Sequence, residues 1–294
     1  MRFEISKLSP QFQAFVGLVA GAGITFFAIT VRNHGLEVPA PRPPISTNQS
    51  WRHLEQVNFP VEYLYGARPR PAKMDDEEIG TPTRKELEDR IHDGIADFDG
   101  LERSGEIIDL LKQKIGALKV VRMPSDIFDA DLDVVAQCTG LQALSLAYSK
   151  VEGPGLAELE GLDRLHVLDL SDSRVDDKGV EFLPVSLPVR RLYLTGTRVT
   201  NEVVSILLGK HLDRLEVLGL SNTRIDDEAF KQLLGLPSLK ELHVFHTGIT
   251  DAALESIAQN GRLRFLSCGM TKVTSGGIAK LGSRCRELHI DYGG

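Results

Sequence analysis

Apolar residues recur along this chain at nearly constant intervals, starting at residue 118. Copies of one pattern begin at Leu118, Leu141, Leu165, Val189, Leu215, Leu239 and Leu263, and a truncated copy begins at Cys285. The successive spacings are 23, 24, 24, 26, 24, 24 and 22 residues. In a regular copy, such as Leu215 to Ile225, repeat positions 1, 4, 6 and 11 are apolar. A fixed period in the twenties is the signature of a solenoid.

The positions within each copy predict a short strand, a turn and a short helix. Side chains alternate between the two faces of a strand, so the regularly spaced apolar residues predict one buried face. Position 9 is Ser or Thr in the six copies that begin at Leu141 to Leu263, as in Thr223, and such hydroxyls bond the backbone at turns. Position 12 is usually Asp or Thr, as in Asp226, and both cap helix N-termini. Apolar residues return at positions 16 and 19, which predicts a short helix on the outer side.

Three stretches share a further signature around the turn. They are Thr223-Arg-Ile225-Asp226-Asp227, Thr247-Gly-Ile249-Thr250-Asp251 and Ser173-Arg-Val175-Asp176-Asp177. This signature resembles leucine-rich repeat domains, in particular the cysteine-containing subfamily and its bacterial relatives, over residues 118–292. The resemblance implies an α/β solenoid, a horseshoe with a concave parallel sheet and short outer helices, whose concave face usually binds proteins. Some relatives are substrate adaptors of ubiquitin ligases, but no F-box helix pattern occurs in residues 49–117, so that role is not transferred.

The repeat domain is assigned to residues 118–294, with seven or eight strands, and a junction and helical cap to residues 51–117. Thr83 and Glu86 form a capping-box pattern, which predicts a helix start. A second helix is predicted from Glu106 to Ile115. Residues 83–117 would then cap the first repeat, as terminal units of solenoids do. Residues 95–98 are a candidate for one more, very degenerate, repeat strand.

An uncharged run from Gln11 to Val31 predicts a single transmembrane signal anchor. A helix of that length spans roughly 30 Å, which matches the hydrocarbon core of a bilayer. The domain order is then a tail (1–10), the span (11–31), a proline-rich linker (32–50) and the soluble part. A cleaved signal peptide and a buried soluble helix are the competing interpretations. With the amino end inside, the repeats lie on the non-cytoplasmic side of a single-pass membrane protein.

Small residues line one face of the predicted span. Gly17 and Gly21 are four residues apart, the spacing that lets two membrane helices approach closely. The functional interpretation is association of two chains in the membrane. The alternative is that glycine is simply common in membrane helices.

Composition argues against several classes of function. The net charge of −7 is the opposite of a nucleic-acid-binding footprint. The three cysteines have spacings that fit neither a zinc site nor a disulfide framework, and Cys268 and Cys285 are expected in the core. His243 and His246 are three apart on a strand and do not share a face, and the acidic run from Asp126 to Asp133 lacks the glycine of a calcium loop. No nucleophile–base pair, metal site or cofactor fingerprint is expected.

The outward positions 5, 7 and 8 of the copies are expected to line the concave face. Aromatic and other large side chains on that face are candidates for binding a protein partner. These candidates are Asp169, Tyr193, His243, Phe245, His246, Met270, His289 and Tyr292. The resulting prediction is a membrane-anchored, non-catalytic protein-interaction module whose partner is unidentified. The alternative is a self-assembling scaffold. It would form a homo-oligomer through the membrane helix and through an open edge on the last strand.

Overall fold

The computed structural model describes residues 82–292, apart from 211, 283, 284 and 286. The predicted tail, membrane span and linker, with Gly17 and Gly21, lie outside the described residues. Within the described residues, no helix combines the length and the apolar character needed to cross a bilayer.

The described part begins with the predicted helices. Helix α1 (Arg84–Asp89) starts at the capping box, in which the Thr83 backbone N–H donates to the Glu86 carboxylate at 2.7 Å. Two short antiparallel strands, β1 (Ile91–His92) and β2 (Ile95–Asp97), follow. Helix α2 (Gly105–Lys114) then buries its apolar face, including Leu110 and Leu111. The predictions of both helices are confirmed.

The repeats form one sheet, and its strands follow one another in chain order from β1 to β10. From β2 onward each strand is parallel to its neighbours. The remaining strands are β3 (Val120–Arg122), β4 (Ala143–Ser145), β5 (Val167–Asp169), β6 (Arg191–Tyr193), β7 (Val217–Gly219), β8 (Glu241–His243), β9 (Phe265–Ser267) and β10 (His289–Asp291). Each strand from β3 to β10 occupies repeat positions 3 to 5, because the register aligns those positions between neighbouring copies.

The sheet is longer than the predicted seven or eight strands. It has ten strands within the described residues. The additional strands lie in the region assigned to the cap: β2 pairs in parallel with β3, with Ile95 opposite Val120. The degenerate repeat strand suggested for residues 95–98 is therefore confirmed, and β1 extends the same sheet.

The last copy begins at Glu287, and the predicted start at Cys285 is wrong. His289 pairs with Phe265, which places His289 at position 3 and shifts the copy by two residues. The Cys285 N–H donates to the Leu281 carbonyl at 3.0 Å, which ties Cys285 back to the preceding helix and not to the last strand. The sequence was misleading because Cys285 and Leu288 have the spacing of positions 1 and 4.

A helical segment follows most strands. The α-helices are α3 (Leu132–Ala136), α4 (Asp177–Glu181), α5 (Glu202–Gly209), α6 (Asp227–Leu233), α7 (Asp251–Asn260) and α8 (Ser275–Gly282), and a 3-10 helix occupies Pro154–Leu159. The capping prediction at position 12 is confirmed in three of them. The side chains of Asp176, Asp226 and Thr250 accept backbone N–H bonds from the first turns of α4, α6 and α7.

The core lies between the sheet and the helices. Leu218, Leu220 and Ile225 are buried there, as the apolar period predicts, and so is Cys268. Position 9 closes each turn: the Thr247 hydroxyl donates to the Val244 carbonyl at 2.7 Å, and equivalent residues do the same in neighbouring copies. These local patterns account for the regular stacking of the repeats.

Candidate protein-binding face

Outward side chains of the strands form the surface opposite the helices. Strand alternation places positions 3 and 5 on this surface. Position 5 was predicted to face outward, and position 3 shares that face. Position 3 is occupied by Ala143, Val167, Arg191, Val217, Glu241, Phe265 and His289. The sequence contains a signal for this row: a strand centred on the apolar position 4 has positions 3 and 5 on its opposite face.

Asp169 and Tyr193 do not stand free on this face, contrary to prediction. Only 5% of Tyr193 and 7% of Asp169 is exposed. The Tyr193 ring lies over Gly219 of the next strand, where an added Cβ would come within 2.8 Å of the ring. Asp169 accepts the Ser171 backbone N–H at 2.9 Å, and burial raises its pKa. Both residues fill the sheet surface and are not available as anchors.

Three rings gather at the carboxy-terminal end of the sheet. The Phe265 ring lies 5.3 Å from the His243 ring and 5.5 Å from the His289 ring. Burial lowers the pKa of His243 to about 4, so this imidazole is neutral at physiological pH. Among the described residues, its buried Nε2 atom has no hydrogen-bond partner. The structure therefore brings the predicted His243 and His289 together through Phe265, a residue that the prediction missed.

Position 8 adopts a left-handed backbone in six consecutive copies. The residues and their φ angles are Tyr148 (60°), Asp172 (54°), Gly196 (68°), Asn222 (55°), His246 (53°) and Met270 (52°). We call these six residues the left-handed row. In the first five of them, the N–H donates to the position 7 carbonyl of the next copy, as His246 does to Gly269 at 2.9 Å. This ladder extends the sheet pairing beyond the strands and holds the backbone in the left-handed region.

The residue types of the left-handed row fall into two groups. Gly, Asn and Asp tolerate positive φ, and they occupy three of the six positions. Tyr148 and Met270 do not have this tolerance, whereas His246 shares part of it, and all three are exposed. Their side chains therefore bring little burial to compensate for the strained backbone.

Phe245, His246 and Met270 form what we call the exposed patch. Phe245 is 38% exposed and Met270 is 65% exposed. The His246 Nδ1 atom lies 3.0 Å from the Asn222 amide oxygen, and the Phe245 N–H donates to the Ser221 hydroxyl at 3.2 Å. These contacts fix the backbone and one ring while leaving apolar surface open to solvent.

Tyr292 lies apart from the exposed patch. It is 44% exposed and follows β10 directly. The corrected start of the last copy places it at position 6, which points inward in the other copies. The prediction that it extends the concave face through position 8 is therefore wrong.

The acidic residues near the amino-terminal end serve the fold. Asp129 accepts the backbone N–H groups of Glu152, Gly153 and Gly155 at 2.8–2.9 Å. Asp131 pairs with Arg103 at 2.7 Å. In the part of the chain that the structure describes, no three His, Cys, Asp or Glu side chains are grouped so that they would hold a metal ion.

Comparison with known proteins identifies the type of repeat. The family described as "Leucine Rich repeat" matches residues 165–183 and 235–258. These two segments are similar to leucine-rich repeats, and the parallel sheet with its short helices fits that type of repeat. The comparison with curated proteins gave no match.

Solved structures that match include an internalin from Listeria monocytogenes. The TM-score is 0.44 at 17% sequence identity, and the alignment covers 66% of this chain. It covers 58% of the internalin, so this chain spans less than two thirds of that protein's length.

Proposed function

We propose that this protein is a non-catalytic interaction module that binds another protein through the exposed patch. The observation that supports this most directly is the left-handed row. The left-handed conformation costs an ordinary L-residue roughly 1–2 kcal/mol. Three other copies use Gly, Asn or Asp at the same position, so the fold does not require His246 or Met270 there.

The chemistry of the patch suits a protein partner. Aromatic side chains and methionine are enriched at the centres of protein interfaces, since they bury much apolar surface on contact. Phe245 and Met270 lie in adjacent copies, and Gly269 beside them has no side chain. The rings of His243, Phe265 and His289 extend the same surface onto the sheet.

Site-specific cross-linking in cells tests the proposal. A photoreactive amino acid replaces Phe245 in the full chain, and a second variant carries it at Phe182, which is 45% exposed and directly follows α4. We expect a discrete protein adduct from position 245 and none from position 182. The Met270→Ala substitution should weaken the adduct at 245.

Adducts of the same size and yield from both positions would refute the exposed patch as the binding site. An adduct formed only between two copies of this chain would favour the scaffold alternative. Light scattering of the full chain in detergent would then give the size of the assembly.

Anchoring in a membrane is the second part of the proposal and rests on the uncharged run from Gln11 to Val31. We expect the full chain to stay in the membrane fraction through alkaline extraction and to be digested by protease added outside the cell. Release into the supernatant would contradict the anchor. Protection from external protease in intact cells would contradict the non-cytoplasmic orientation.

Association of the membrane helices is a separate part of the proposal. Replacing Gly17 and Gly21 by Ile should lower dimerisation in a membrane reporter, because the larger side chains keep the two helices apart. Replacing Gly23, which lies outside this spacing, provides the control. Equal dimerisation of all three forms would remove self-association from the proposal.

A further inference from the structure

A row of basic residues lies next to the left-handed row. Repeat position 10 holds Lys150, Arg174, Arg198, Arg224, Gly248 and Lys272. The backbone N–H at position 10 donates to the position 11 carbonyl of the preceding copy, at 3.4 Å for Arg224, 2.8 Å for Gly248 and 3.0 Å for Lys272. The row therefore has the regular spacing of the sheet, about 4.8 Å per copy.

The first members of this row have partners within the fold. Lys150 lies over the Phe128 ring, with its Nζ atom 5.0 Å from the ring centroid. Arg174 pairs with Glu152, the position 12 residue of the preceding copy, at 3.7 Å. Arg174 thus forms a surface ion pair with the preceding copy.

Arg224 and Lys272 have no such partner. The position 12 residues of their preceding copies are Thr200 and Thr250, whose backbones bridge to Arg224 and Lys272. Both basic side chains are exposed, and neither forms an ion pair within the part of the chain that the structure describes. Arg198 is also exposed, but it lies one copy further from the exposed patch.

Nearby carboxylates are held by other donors. Asp227 accepts both the N–H and the hydroxyl of Thr250 at 2.7 Å, and Asp251 accepts the same two groups of Thr274 at 2.7 Å. Asp226 accepts the N–H groups at the start of α6. None of these contacts involves Arg224 or Lys272.

Gly248 separates the two basic side chains and leaves an opening between them. It is exposed, and its missing side chain creates a gap in the row between Arg224 and Lys272. Two sheet spacings separate the backbones of Arg224 and Lys272 by about 10 Å. Two long side chains can span this distance and contact the same carboxylate. His246 and Met270 of the exposed patch are two positions away along the chain from Gly248 and Lys272.

We propose that Arg224 and Lys272 bind a carboxylate of an acidic protein segment, whose apolar side chains lie on the exposed patch. This inference rests on the proposed function and names the chemistry of the partner. An acidic segment of a protein matches this surface better than a purely anionic polymer, because a protein segment also has apolar side chains that can cover the exposed Phe245 and Met270. Both basic side chains act as hydrogen-bond donors to the carboxylate.

Binding of a random copolymer of glutamate and tyrosine to the full chain in detergent tests the inference, with fluorescence anisotropy as the readout. We expect the Arg224→Gln, Lys272→Gln double variant to bind about tenfold more weakly, as the loss of two exposed ion pairs allows. The matched control is Lys178→Gln, Lys231→Gln, which removes the same charge from exposed residues of α4 and α6 and should bind like the wild type. The Arg224→Glu, Lys272→Glu variant should instead bind a copolymer of lysine and tyrosine.

Three results would overturn the inference: no binding of the acidic copolymer, equal weakening in both Gln variants, or heparin binding that depends on Arg224 and Lys272 without any copolymer binding. Thermal unfolding of each variant confirms that the fold is unchanged. Copolymer binding by the Phe245→Ala, Met270→Ala variant, measured in the same titration, tests the proposed function separately. Copolymer binding that is unaffected in this variant but lost without the two basic residues would reject the patch and retain the carboxylate site.

Discussion

Single residues on the sheet surface are governed by their neighbours in the next copy. Gly219 illustrates this at the centre of the sheet, because its missing side chain makes room for the Tyr193 ring. Tyr193 is buried as a result, and that burial raises its pKa. An aromatic residue on an outward strand position therefore becomes part of the fold wherever the adjacent strand offers a glycine.

Replacing Gly219 by Ala should destabilise the solenoid by about 1–3 kcal/mol, because the new Cβ meets the Tyr193 ring and forces it out of place. The measurement is the free energy of unfolding in urea. Gly105→Ala is the control, since nothing lies within 4 Å of its added Cβ and the residue begins α2. Equal unfolding free energies of wild type and Gly219→Ala would show that the ring does not depend on the glycine.

In the left-handed row, a substitution is expected to stabilise the fold, in contrast to Gly219→Ala. Met270→Asn should raise the free energy of unfolding by about 1 kcal/mol, since Asn tolerates positive φ and the Met side chain is mostly exposed. The same substitution should weaken partner binding. A variant that loses stability would show that Met270 contributes to the fold, and the functional interpretation of its strain would then fail.

At the scale of elements, one carboxylate joins each of three helices, α4, α6 and α7, to the following copy. The sequence indicated that acids in the first helical turn serve the positive end of the helix dipole. In the structure, Asp227 at the start of α6 also accepts two hydrogen bonds from Thr250. Asp177 and Asp251 make the same pair of contacts to Thr200 and Thr274.

Substituting Asp227 by Ala should destabilise the protein by about 2 kcal/mol, the usual loss for hydrogen bonds to a charged group. Combined with Thr250→Val, the two effects should be less than additive, because both variants remove the same contact. Glu228→Gln serves as the control, because Glu228 is an exposed neighbour whose carboxylate accepts a hydrogen bond from Gln232 on the same helix. Strict additivity would contradict a direct link between the two copies.

Low pH should weaken the carboxylate hydrogen bonds that join neighbouring copies. Backbone and hydroxyl hydrogen bonds from Thr274 hold the pKa of Asp251 below its usual value, and the hydrogen bond from Asn201 does so for Asp226. A lowered folded-state pKa stabilises the fold above the unfolded pKa of about 3.9, and the contribution is lost as pH falls through the lowered value. Chemical unfolding below about pH 4 should thus show a decline that is shallower in Asp251→Asn. An identical pH dependence in the variant would contradict this assignment.

On the scale of the whole solenoid, each copy contacts mainly its neighbours, so stability is distributed along the chain. Strands β4 and β7 are fully buried, whereas the first and last residues of β10 are exposed. The exposed patch and Lys272 lie in the copies of β8 and β9, just before β10, whereas Arg224 lies in the copy of β7. The proposed binding surface thus extends from the buried centre onto the less buried end.

Hydrogen exchange should reflect this gradient. We expect the amides of β4 to β7 to exchange slowest and those of β9 and β10 to exchange faster, because local opening at the less buried end breaks fewer contacts. Mass spectrometry of the exchanging full chain measures the order. Uniform protection from β4 to β10 would mean that the described repeats open only as one unit.

Much of the fold follows from patterns within one copy, whereas the binding face depends on neighbouring copies. Apolar spacing, Thr223-type turns and Asp226-type caps act over a few residues, and for that reason they could be read directly. The start of the last copy could not, because Cys285 and Leu288 have the spacing of positions 1 and 4, while a hydrogen bond ties Cys285 back to Leu281 of the preceding helix.

The sequence by itself determined the repeat, its strand and helix, and the exposure of Phe245, since each depends on alternation and capping along a short stretch. Only the tertiary structure decided that Asp169 and Tyr193 are buried and that Met270 has a strained backbone. It also decided which basic residues have partners within the fold. The physical reason is the same in each case: these properties arise from contacts between residues that stacking brings together across one repeat length, and no local pattern encodes them.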